Sequence, residues 1–128
     1  MQKVIENRIK VGNLILRAVL NKTPVSQLLS IFPKPINDIN LKCAFDALVH
    51  YEADEDFRSK SSEYAQIQDE YMIEIARTLR EGKTLPQNII SEYNKYYKDI
   101  LISPKETFFT SFINKIKRVI NFWYEKHG

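Results

Sequence analysis

The chain has 128 residues, 44% of them hydrophobic and 27% charged, which is enough for one buried core and ordinary for a globular protein. Its three glycines, Gly12, Gly82 and Gly128, exclude the clustered-glycine phosphate loops, and its one cysteine, Cys43, excludes an intramolecular disulfide and a multi-thiolate zinc site. The net charge of +3 conceals a segregation: residues 1–45 balance to +5, residues 46–81 to −6 and residues 82–128 to +4.

Helical periodicity runs through the chain and strand alternation is absent. Val4, Ile5, Ile9, Ile15, Leu16, Val19 and Leu20 place a first helix over residues 2–21. Thr23 and Pro24 then read as the cap and first residue of a short helix carrying Leu28, Leu29 and Phe32. Pro33 and Pro35 interrupt the chain. A third helix starts near Asn37 or Asp38 and extends to Phe57, and a fourth is capped by Ser61 or Ser62 and stops at Gly82. Pro86 opens a fifth, with Ile89, Ile90, Tyr93, Tyr97 and Ile100 at helical spacing. Ser103-Pro104-Lys105-Glu106 is a capping box for a last helix ending near Lys126. These elements predict an all-α fold: a compact, single-domain bundle of five to six helices over residues 1–128, with residues 104–126 as a separable amphipathic helix at the C-terminal end.

Polar residues on apolar faces carry the next expectations. Arg8 interrupts the stripe of the first helix between Val4 and Ile15. Continued regularly, the third helix turns Glu52 and Glu55 toward the core behind Leu41, Ala44, Leu48 and Tyr51. A carboxylate inside needs a counter-charge, so Arg8 is expected to pair with Glu52 or Glu55, unless the helix frays after Tyr51 and frees both acids to water. On the fourth helix Glu63, Glu70, Glu74 and Glu81 form an acidic ridge beside the stripe of Tyr64, Ile67, Tyr71, Met72, Ile75 and Leu79. Either basic residues of the chain or a basic partner neutralise such a ridge. In the last helix Phe108, Phe112, Ile116 and Trp123 share a broad apolar face, and Lys115, Lys117 and Arg118 occupy the other sides. Core packing accounts for that composition, and so does docking on a membrane surface or in a partner's groove.

Catalytic and metal-binding patterns are thin. No Glu-x-x-His pair occurs, and Asp46, His50 and Asp54 at i, i+4 and i+8 read as a solvated ridge, so no metal site and no cofactor are expected. Cys43 and His50 on one helix lack a cleft and oxyanion donors. No basic run or reading motif points to a specific nucleic acid, and nothing predicts a small-molecule ligand. The apolar residues 11–16, closed by Arg17, make a poor export signal, and no uncharged stretch nears the roughly 20 residues that span a bilayer, so a cytoplasmic location is expected. The excess of Ile, Lys and Asn fits an AT-rich bacterial or phage genome. The resulting expectation is a non-catalytic protein–protein interaction module of adaptor, chaperone or inhibitor type, whose partner is another protein or a second copy, with the acidic ridge as its contact. A peripheral membrane protein using the last helix is the alternative, and an enzyme with a carboxylate site around Glu52, Glu55 and Glu74 is the third reading.

Overall fold

The computed structural model describes residues 2–99. Six helices lie among those residues: α1 (Gln2–Leu20), α2 (Val25–Ser30), α3 (Ile39–Ala53), α4 (Glu55–Lys60), α5 (Ser62–Arg80) and α6 (Gln87–Asp99). The expected all-α architecture is therefore the one the described residues adopt. The chain divides into two compact units, Met1–Leu85 with α1 to α5 and Pro86–Gly128 with α6. The helix read over residues 104–126, with Lys115, Lys117, Arg118 and Trp123, lies outside the described residues.

In the first unit α1 and α5 form the central pair, with α3 packed on both. Val11, Ile15 and Ala18 of α1 and Met72, Ile75, Ala76 and Leu79 of α5 are buried, at the 3.6-residue spacing that gives each helix one apolar face. Each fully buried Leu or Ile contributes about 1.5–3 kcal/mol of apolar burial. Gly12 sits at a close approach of the two helices: a Cβ there would lie 2.8 Å from the Ala76 carbonyl oxygen and 3.0 Å from the Arg80 amide nitrogen. Farther along, Ile5 packs near Gly82, while Ala18 and Asp69 line one cleft. The early residues of α1 thus meet the late residues of α5, and the pair is antiparallel.

Local chemistry sets the helix ends. Asp38 caps α3, accepting from the Asn40 amide at 3.1 Å, and Ser61 caps α5 through the Tyr64 amide at 3.1 Å. Gly82, at φ +74°, ends α5 in a Schellman arrangement: its amide reaches the Leu79 carbonyl at 2.8 Å and the Lys83 amide reaches Thr78 at 3.2 Å. Thr23 does not cap α2; Pro24 occupies that position without a side-chain bond, and its carbonyl accepts from Gln27 and Leu28.

The expected third helix is two helices. Asp54, at φ −95° and ψ 11°, closes α3, and α4 restarts with Glu55. That step resets the helical register, which decides where the acids of this segment point.

Candidate interaction surface

Arg8 is indeed held in an ion pair, but its partner is Asp38. The guanidinium Nε donates to Asp38 Oδ2 at 2.8 Å, and the two side chains are 15% and 14% exposed. A second nitrogen of Arg8 donates to the Gly82 carbonyl oxygen at 3.3 Å, so one side chain links α1, the cap of α3 and the end of α5. Burial alone would raise the Asp38 pKa, but the bonds from Arg8 and Asn40 outweigh it and hold the carboxyl below its ordinary value. Asn40, itself buried, completes the junction by donating to Asp38 Oδ1 at 2.8 Å and accepting from the Leu85 amide at 2.7 Å. The expected pairing with Glu52 or Glu55 is corrected: both glutamates are exposed. Glu52 lies at the edge of the α3 face, and the break at Asp54 rotates Glu55 outward.

Asp54 itself faces inward, three residues after Tyr51 and seven after Ala47 on the buried face of α3. It is 4% exposed, and its Oδ2 accepts from the Tyr64 hydroxyl at 2.5 Å and from Gln68 Nε2 at 3.1 Å. Arg58 donates to Gln68 Oε1 at 2.8 Å and to the Tyr51 carbonyl, and its guanidinium lies 3.6 Å from the centre of the Tyr51 ring. The Tyr51 hydroxyl in turn donates to Asp69 at 2.9 Å. Burial pushes the Tyr51 hydroxyl up to about 12, and the bond to Asp69 adds to the shift. Burial, then the bond to Asp54, moves Tyr64 in the same direction. Every polar member finds a hydrogen-bond partner, so the network holds α3, α4 and α5 in one register.

Beside this network lies an open cleft of about 580 Å³, lined among others by Lys22, Tyr51, Glu52, Glu55, Arg58 and Asp69. Glu52 and Glu55 therefore share a surface. Glu74, the third residue of the carboxylate reading, is absent from that lining and pairs with Arg77 at 2.7 Å. Among the described residues no three His, Cys, Asp or Glu side chains could hold a metal ion. The ridge of Asp46, His50 and Asp54 does not form either: His50 lies 3.4 Å from Asp46, while Asp54 points into the core. Cys43 is buried on the inner face of α3, and burial, with Asp46 and Asp38 nearby, lifts its thiol to about 12.

Two glutamates of the α5 ridge are paired with basic residues of the chain. Glu74 pairs with Arg77, Glu81 with Lys83 at 3.0 Å, and Glu70 accepts from Gln66 at 3.2 Å. Glu63 is exposed and makes contacts of its own.

Next to the ridge, α1 and α5 enclose a groove of about 480 Å³ lined by Leu16, Leu20, Ile73, Arg77, Arg80 and Glu81. Leu16 and Leu20 continue a flank of α1 that begins at Ile5 and Ile9, at spacings of four, seven and four residues. This flank lies beside the buried face, and Ile5, Ile9 and Leu20 remain 41%, 38% and 63% exposed. Arg80 reaches the groove because Gly12 has no side chain; a Cβ there would lie 2.7 Å from Arg80 Cγ, so the aliphatic stem crosses α1 at that point and the exposed guanidinium stands at the rim. The sequence puts Ile5, Ile9, Leu16 and Leu20 on one side of the helix with Ile15 and Val19; their offset from Val11 and Ile15 around the helix is the signal that separates them.

No helix among the described residues is long and apolar enough to cross a membrane. Compared with protein-family models, curated proteins and solved structures, the chain matches none.

Proposed function

We propose that this chain is a non-catalytic protein–protein interaction module, and that the groove between α1 and α5 is its contact surface. The observation that supports this reading is the flank of Ile5, Ile9, Leu16 and Leu20: four branched apolar side chains over about 22 Å of helix, outside the core that stabilises the fold. Clustered apolar exposure of this kind marks contact sites on folded proteins, whereas single exposed residues do not. Of the acidic ridge only Glu81 lines this groove, where Lys83 holds it. A free thiol at Cys43 suits a reducing compartment, and we place the protein in the cytoplasm.

A photo-crosslinking amino acid at Leu20, compared with one at exposed Gln27 of α2, tests the assignment in the cells that make the protein. Adducts to a discrete protein are expected from position 20 and not from position 27. Absence of adducts at position 20, under conditions where the protein is folded and expressed, would overturn it.

A further inference from the structure

Resting on that reading, we infer that the α1–α5 groove takes an amphipathic helix of a partner protein whose apolar anchors are flanked by acidic residues. The shape argument comes from the pair itself. Two antiparallel helices present a groove with apolar walls at Leu16, Leu20 and Ile73, and a third helix fits such a groove by the same ridge-into-groove packing that joins the first two.

The charge argument comes from the rim. Arg77 is neutralised by Glu74, and the one carboxylate in the lining, Glu81, is held by Lys83. Arg80 and Arg17 are different: among the described residues neither has an ion pair or hydrogen bond from its side chain. Arg17 precedes Leu20 by three residues and so stands alongside it on α1, while Arg80 stands on the α5 wall. An apolar floor with uncompensated Arg80 on its α5 wall, and Arg17 one turn from Leu20 on the outer side of α1, is complementary to leucine-type anchors flanked by Asp or Glu, and it repels a basic helix. Arginine at both places also allows bidentate contact with a carboxylate.

The test uses the full chain and two synthetic helical peptides with identical Leu anchors at i, i+4, i+7 and i+11, one flanked by Glu and one by Lys, read by fluorescence anisotropy. The Glu-flanked peptide is expected to bind about tenfold more tightly at low salt, and the preference is expected to shrink in 1 M NaCl. Replacing both Arg17 and Arg80 by Glu should reverse the order, while replacing both by Lys should keep it. Leu20→Asp, at a position too exposed to unfold the protein, should weaken both peptides. Equal affinities, a preference for the Lys-flanked peptide, or indifference to Leu20→Asp would overturn the inference. So would Leu20-dependent dimerisation in sedimentation, which assigns the groove to a second copy, or Leu20-dependent binding to anionic vesicles, which assigns it to a membrane. If position 20 crosslinks to a protein in cells while the acidic peptide fails, the module survives and the acidic helix does not.

Discussion

Gly12→Ala isolates the contact on which the first unit is built. In an isolated helix the change is favourable by about 1 kcal/mol, because glycine has the greater backbone freedom to lose. Here the new Cβ meets Arg80 Cγ at 2.7 Å, the Ala76 oxygen at 2.8 Å and the Arg80 nitrogen at 3.0 Å, whereas ordinary contacts begin at 3.4 Å. The Arg80 side chain can swing away, but the two backbone atoms belong to α5 and cannot. Relief requires α1 and α5 to separate by about 0.5 Å, and a gap of that size forfeits roughly a quarter of each dispersion contact across the pair. Overpacking of this kind costs about 3 kcal/mol at the upper end of its range. Less the propensity gain, the net destabilisation is about 2 kcal/mol, or roughly a 10 °C fall in midpoint for a unit of this size. Urea and thermal unfolding followed by far-UV circular dichroism read it directly. Asn13→Ala, one residue on and exposed, supplies the control and should stabilise the protein by about 0.5 kcal/mol. If Gly12→Ala matches that control or exceeds it, the close approach of α1 to α5 is wrong.

Four further outcomes follow from the polar junctions and the buried thiol. A double-mutant cycle between Arg8→Ala and Asp38→Asn, the latter chosen because asparagine still caps α3, should show coupling of about 1.5 kcal/mol, and one between Arg8→Ala and Glu52→Gln none. Because the folded pKa of Asp38 lies below its ordinary 3.8, its contribution is complete above that value and lost as pH falls through the folded value; Asp38→Asn should flatten this part of the acid-unfolding curve. Tyr64→Phe removes one of the two donors to buried Asp54 and should cost about 1–3 kcal/mol in urea unfolding, a loss that an unchanged midpoint would contradict. Native Cys43 should react with a disulfide reagent at pH 8 about a hundredfold more slowly than in urea, since burial both hides the thiol and lifts it to about 12.

The limits of sequence reasoning are themselves physical. Periodicity located α1, α3 and α5, and the caps at Asp38 and Ser61 and the stop at Gly82 were visible because each has a local chemical cause. The partner of Arg8 was not legible: Asp38 lies 30 residues away at a helix cap, where no periodic pattern announces burial. The inward side of Asp54 is hidden because the stripe of Leu41, Ala44 and Leu48 lies to one side of the buried face, which also takes in Cys43, Ala47 and Tyr51; the reset at Asp54 then defeats extrapolation to Glu55. A trace of it existed in Gln68, a polar residue four after Tyr64 and four before Met72 on the buried face of α5, which demanded a polar partner from the facing segment. The groove is hard to see in the sequence because the apolar residues of α1 read as one stripe, although Ile5, Ile9, Leu16 and Leu20 fall to one side of Val11 and Ile15.

Backbone amide chemical shifts of the labelled full chain, titrated with the Glu-flanked peptide, examine the interaction surface residue by residue. Perturbations should concentrate at Leu16, Leu20, Ile73, Arg77 and Arg80 and vanish with Leu20→Asp. Perturbations centred instead on the cleft of Lys22, Glu52, Glu55 and Asp69, or none at saturating peptide, would contradict the assignment of the groove between α1 and α5 as the docking face.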